Sequence, residues 1–137
     1  ELGLPVEVDA ETAQAQVQAA AGELPVVARL PFEQAVSLGA AAYAAGAAAV
    51  SLAPPRGVLI GPDGHLLHGR LYGPGLYPQA LETVRKLARE DIPVVGAGGV
   101  YHPQQVEAML TLGALAVQVD AALWRGGWWQ KTDGLHV

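Results

Sequence analysis

Short apolar runs alternate with helical stretches along this chain, and that rhythm limits what it can fold into. Pro25-Val26-Val27-Ala28-Arg29-Leu30, Ala47-Ala48-Ala49-Val50-Ser51-Leu52-Ala53, Ile92-Pro93-Val94-Val95-Gly96 and Ala114-Leu115-Ala116-Val117-Gln118-Val119 are β-like runs, largely apolar on both faces. Strands of that kind belong to the buried interior of a parallel sheet. Pro31 closes the first run and suits the first turn of a helix reaching about Ala45, where Gly46 stops it. From Leu76 to Glu90, Ala80, Leu81, Val84, Leu87 and Ala88 share one helical face while Glu82, Arg85 and Lys86 point away. Pro103 opens a further helix carrying Val106, Met109 and Leu110, ended by Gly113. Upstream, Val6 to Val8 read as a strand remnant, and Asp9 as the N-cap of an Ala/Gln-rich helix reaching Ala21. Repeated βα units of this spacing predict an α/β protein with a parallel sheet.

Four strands and a fifth near the start fit into 137 residues. A closed (β/α)8 barrel takes about 250 residues, so the chain holds roughly half of one. An open, flavodoxin-like sheet would also fit, and spacing alone does not choose between them. The start at Glu1 rather than Met suggests a fragment or a processed chain, and residues 1–137 read as one domain. Residues 54–74 form an unusually long connection, with Val58-Leu59-Ile60 and His65-Leu66-Leu67 around Gly61-Pro62-Asp63-Gly64 reading as a small hairpin. Most such connections take about 2–6 residues, and longer ones usually cover a site.

Composition removes whole classes of function. With 51% hydrophobic and 15% charged residues the chain is globular, and a net charge of -5 without a Lys/Arg cluster argues against nucleic acid or an anionic membrane. No cysteine is present, which excludes disulfides, thiolate metal sites and Cys nucleophiles, and makes the cytoplasm the expected compartment. The four histidines do not pair at ligand spacing, so no metal is expected. No secretory signal opens the chain. Ala35 to Ala53 is uncharged and long enough to be tested as a membrane span, but Ala and Gly contribute little to insertion. A buried helix, a Gly turn and a buried strand explain that stretch.

The most informative local feature is Gly96-Ala97-Gly98-Gly99 after a strand and before a helix. Adjacent glycines let backbone N–H groups approach a phosphate, and a helix N-terminus adds partial positive charge. A tight βα turn that needs positive φ explains the same string, and both readings stay open here. Ser37 and Ser51 lack a legible His and acid partner for a triad. His65 and His68 flank the hairpin turn, where solvated histidines are common. Trp124, Trp128 and Trp129 suit packing or an interface, and Tyr72 and Tyr77 flank the Gly-rich segment 69–75.

Three segments read together carry a resemblance. Gly69-Arg70-Leu71-Tyr72-Gly73-Pro74-Gly75-Leu76-Tyr77-Pro78 resembles a Gly-Gly-Leu-Ser-Gly loop with a downstream Leu-x-Pro. Ile92 to Val100 resembles a seventh barrel strand with its diglycine turn, and Gly113 to Leu123 a Gly-Ala-x-x-Val-Gln eighth strand. Together, in this order and spacing, they are similar to the C-terminal half of the dihydroorotate dehydrogenase family, with Pro25 to Leu30 and Ala45 to Ala53 in the places of strands five and six. The resemblance implies a partial (β/α)8 barrel of the TIM type containing about strands 4–8, with FMN at the C-terminal strand ends and a small organic substrate. It implies that Gly98 and Gly99 offer N–H groups to the FMN phosphate, that Asp120 and Ala121 form a second phosphate-contacting pair, and that Gly73 lies near the flavin. Arg29 takes the place of a strand-five Lys at the flavin N1/O2 edge, where a cation stabilises negative charge on the ring.

The departures point away from dihydroorotate. The family's strand-four amides and neighbouring base fall on Gly3, Val6 and Val8, whose side chains neither bind a carboxylate nor accept a proton. The strand-six amides fall on Ala53-Pro54-Pro55, and Asp120 puts a carboxylate near a phosphate unless it turns away or meets a cation such as Arg125. The sequence therefore predicts an FMN-dependent oxidoreductase with a different substrate. The alternatives are a non-catalytic barrel subunit and a flavin-free barrel enzyme that binds a phosphorylated substrate. In each case the open half-barrel is expected to pair with its missing N-terminal half or with another copy.

Overall fold

The computed structural model describes residues 1–124. Seven strands and five helices follow in chain order: β1 (Leu2–Gly3), α1 (Ala10–Ala20), β2 (Val27–Leu30), α2 (Ala35–Ala44), β3 (Ala49–Leu52), β4 (Arg56–Ile60), β5 (Leu66–Arg70), α3 (Tyr77–Arg89), β6 (Val94–Ala97), α4 (Pro103–Thr111), β7 (Ala116–Gln118) and α5 (Ala121–Trp124). Short 3-10 turns at Phe32–Gln34 and Pro74–Leu76 lead into α2 and α3.

The main sheet has the order β1-β2-β3-β6-β7, and all its neighbours are parallel. Each strand lies beside the next sheet strand in the chain, so the winding never reverses. A flavodoxin-like sheet inserts its first strand between the second and third. One-way winding is the arrangement of a (β/α)8 barrel, here present in part. The helices follow the same order outside, with α1 against α2, α2 against α3 and α3 against α4.

The core lies between the helices and the outer face of the strands. Leu30, Val50, Leu52 and Val94 from the sheet meet Val17, Leu38, Val84, Leu87 and Met109 from the helices, all buried. On α3 the buried residues are Ala80, Val84 and Leu87, the face predicted from the 3.6-residue period. α2 approaches α3 closely: a Cβ on Gly39 would lie 2.5 Å from Leu87 Cδ2. Asp9 caps α1 by accepting from the Thr12 amide at 2.7 Å.

One boundary differs from the sequence expectation. Val6 to Val8 are not a strand: β1 is Leu2–Gly3, pairing Leu2 with Ala28 and Gly3 with Arg29. Pro5 follows after Leu4, and Glu7 adopts φ 61°, a left-handed conformation that breaks an extended run. Val8 is nevertheless buried in the core. Ala35 to Ala53 resolves into α2, a turn at Gly46 with φ 102°, and β3. Among the described residues no helix is long and apolar enough to cross a membrane. The expected hairpin is present, with β4 and β5 antiparallel in a separate sheet.

Candidate functional site

The loops at the C-terminal ends of β2, β3, β6 and β7 surround a cleft whose free volume is about 70 Å³, smaller than the roughly 300–1,000 Å³ typical of ligand sites. Arg29, Gly73, Gly98, Gly99, Asp120 and Ala121, the residues singled out in the sequence, all line this one cleft. Its apolar walls are Phe32, Leu52, Pro54, Leu71 and Leu76. The segment after the hairpin folds back over the strand ends and brings Tyr72 and Gly73 to the rim.

Gly98 and Gly99 have φ values of 112° and 69°. A Cβ on Gly99 would lie against the Tyr77 amide nitrogen and 3.0 Å from the Gly73 carbonyl oxygen. The glycines are therefore needed for the turn and for the close approach of the 73–77 segment. The same geometry leaves donors facing the cleft. Gln105 Oε1 accepts from the amides of Tyr101 at 2.7 Å and His102 at 3.0 Å. Among the described residues the amides of Gly98, Gly99 and Val100 have no acceptor, nor do those of Asp120 and Ala121 after β7. Of these residues only Val100 is buried, and the unpaired amides on the cleft wall are available to an anion.

A polar cluster occupies the inner face of the sheet. Arg29 on β2 and Ser51 on β3 are opposite in register and hence on one face. Ser51, fully buried, donates to Glu1 Oε1 at 2.5 Å, and Gln118 Nε2 from β7 donates to the same oxygen at 3.2 Å. Arg29 Nη1 lies 3.7 Å from Glu1 Oε2. Burial alone would raise the Glu1 pKa, but the hydrogen bonds from Ser51 and Gln118 and the Arg29 charge outweigh it and hold the carboxyl below its ordinary range. Arg29 Nε is buried and has no hydrogen-bond partner among the described residues. The arginine thus pairs with Glu1 on one side and lines the cleft wall on the other.

The remaining candidates separate clearly. Asp120 Oδ1 accepts from Trp124 Nε1 at 2.8 Å, so the indole is its partner, while Arg125, Trp128 and Trp129 lie outside the described residues. Tyr77 turns away from the cleft: its hydroxyl donates to the Gln105 carbonyl at 3.0 Å, tying α3 to α4, and burial pushes its pKa up. His65 and His68 are exposed on the hairpin. Gly3, Val6 and Val8 do not line the cleft, whereas Pro54 and Pro55 do and bring no amide side chain to it. Sequence reasoning missed Glu1 as the ion-pair partner of Arg29 and the acceptor for Ser51. The period of two along a strand was the available signal, since it places Glu1 and Gly3 on one face and Gly3 opposite Arg29.

Known proteins share this architecture. The profile of the family described as Nitronate monooxygenase matches residues 69–125, from β5 through the cleft loops. The catalytic subunit of dihydroorotate dehydrogenase B (NAD(+)) from Methanopyrus kandleri is 34% identical over 134 residues, covering 89% of this chain and 42% of that protein. Its counterpart from Thermococcus kodakarensis is 44% identical over 61 residues, covering 44% of this chain and 20% of the relative. Among solved structures, dihydroorotate dehydrogenase from Eimeria tenella in complex with ferulenol superposes with a TM-score of 0.66 at 14% identity, over 87% of this chain and 41% of that one. The chain thus spans less than half the length of these proteins. Strand order and the structural likeness agree: the chain is a partial α/β barrel, similar over most of its length to part of a dihydroorotate dehydrogenase B catalytic subunit.

Proposed function

We propose that this chain is the flavin-binding half of an FMN-dependent oxidoreductase that acts on a small organic substrate other than dihydroorotate. The observation that carries the reading is the set of free amides at Gly98, Gly99, Val100, Asp120 and Ala121, gathered with Arg29 on one cleft. These groups fit FMN. The amides would hold its phosphate, Gly73 would let the loop backbone approach the ring, and the unpartnered Arg29 Nε would meet an electron-rich ring edge.

When bound, FMN supplies two-electron transfer. The chain's own residues position and shield it. Glu1 anchors Arg29 and offsets part of its charge, while Phe32, Leu52 and Leu76 keep water from one wall of the cleft. Dihydroorotate is disfavoured because Gly3, Val6, Val8 and Ala53-Pro54-Pro55 bring neither amide side chains nor a base.

The described sheet ends on two edges, β1 and β7. We assign those edges to the remainder of a barrel, supplied by further sequence or by a second copy. A second reading, a barrel without catalysis, is favoured by one observation: the Asp120 carboxylate shares the cleft with the proposed phosphate amides.

Titration of the full-length protein with FMN, followed by quenching of flavin fluorescence, tests the assignment. Saturable binding that Gly99→Val abolishes is the expected result. Binding indifferent to that substitution removes the assigned site. FMN binding without reduction by any donor, in a protein that binds FMN through Gly99, favours the non-catalytic reading.

A further inference from the structure

A second pocket lies beside the cleft. The residues that follow β1 (Leu4, Pro5 and Val6) and β2 (Pro31 and Phe32) form its floor, and Arg56 and Arg70 from the hairpin form its rim. It shares Phe32, Ala53 and Pro54 with the cleft, so the two are adjacent.

Arg56 and Arg70 are register partners across β4 and β5. The Leu71 amide donates to the Pro55 carbonyl at 2.8 Å, which makes 56 and 70 a non-hydrogen-bonded pair. In such pairs the Cα atoms are about 4.5 Å apart and the side chains closest together. Like charges directly opposite each other are destabilising. Among the described residues no carboxylate forms an ion pair with either arginine; Glu33 lines the same pocket without pairing with them. Two exposed arginines opposite each other across the strands, lining one pocket and without a carboxylate partner, suit an oxyanion that accepts from both.

We infer that Arg56 and Arg70 form a receptor for an oxyanion, carboxylate or phosphate, on the substrate whose remainder occupies the cleft. This inference rests on the proposed use of the cleft, and it gives the substrate a class: a small molecule with an anionic arm. It also assigns a place for charge recognition that the strand-four positions Gly3, Val6 and Val8 do not provide.

The test titrates the FMN-saturated full-length protein by calorimetry with benzoate, phenyl phosphate and neutral benzyl alcohol at low ionic strength. At least one anion should bind, and the preferred one distinguishes carboxylate from phosphate. Arg56→Gln combined with Arg70→Gln should weaken that anion by about tenfold or more, with benzyl alcohol and FMN retention unchanged. Arg70→Lys, which keeps the charge but loses the planar fork, should fall between. The double variant should melt no lower than the parent, because it removes a repulsion; if it does not fold, Arg56→Gln alone is read. Equal anion affinity in parent and variant, or no anion binding to the folded parent, overturns the inference. Repeating the titration without FMN separates the two claims. Arginine-dependent anion binding in a protein that takes up no FMN supports the receptor while ending the flavin reading.

Discussion

The backbone of Tyr77 lies so close to Gly99 that no side chain fits between them: a Cβ on Gly99 would stand 2.9 Å from Tyr77 Cα. The φ of 69° at Gly99 adds a second obstacle. Gly99→Ala therefore incurs a left-handed backbone penalty of about 1–2 kcal/mol and an overpacking cost of about 1–3 kcal/mol. A loss of about 2–5 kcal/mol in chemical denaturation, with weakened FMN binding, is expected. Gly73→Ala provides the contrast. Its φ is 149°, but nothing lies within 4 Å of the place a methyl group would take, so only the backbone penalty applies.

Arg29 is the one basic residue on the cleft wall among the described residues, and Glu1 offsets part of its charge. A unit charge about 4 Å away is worth about 1–4 kcal/mol between bulk water and a partly screened protein site. For a two-electron couple about 30 mV corresponds to 1.4 kcal/mol. Arg29→Gln should lower the potential of bound FMN by about 30–60 mV in spectroelectrochemical titration, and Arg29→Lys should restore most of it. Equal potentials in parent and Arg29→Gln would place the arginine away from the ring.

Acid should loosen the fold from several points. Glu1 is held below its ordinary value of 4.5 because the Ser51, Gln118 and Arg29 contacts exceed the opposing effect of burial. Glu82 is lowered chiefly by its hydrogen bond from Arg85, and Asp9 chiefly by its hydrogen bond from the Thr12 amide. A carboxyl lowered in the folded state adds stability that is full above its unfolded pKa and lost as pH falls through the folded one. Thermal melts should be insensitive to these groups at neutral pH and fall below the ordinary carboxyl values of 4.5 and 3.8. Glu1→Gln should flatten part of that fall.

Residues 1–137 expressed alone should self-associate. β1 and β7 are open edges, and Leu59, Ile60 and Leu66 on the hairpin are 70%, 77% and 62% exposed. Sedimentation velocity should show species that grow with concentration. A monomer with a cooperative melt would show that this half needs no partner.

The helices α1 to α4 and the strands β2, β3, β6 and β7 were legible because apolar periodicity, Asp9, Gly46 and Gly113 are local signals. Strand order was not, since spacing fits either a barrel or a flavodoxin-like sheet and the direct pairing of β2 with β3, with no strand between them, decides. Val6 to Val8 misled because their apolar character serves the core at Val8, while Glu7 turns the chain. The glycines after β6 were legible as a turn and as a candidate phosphate site, and the geometry makes the turn a requirement. Glu1 with Ser51, and Arg56 with Arg70, are far apart in sequence and meet only through strand register.

The central claim, a flavin site at the diglycine turn, is tested most directly by the visible absorption spectrum of the full-length protein as purified, before and after denaturation. The account predicts a flavin spectrum and release of FMN on unfolding. A colourless protein that also takes up no added FMN would contradict it.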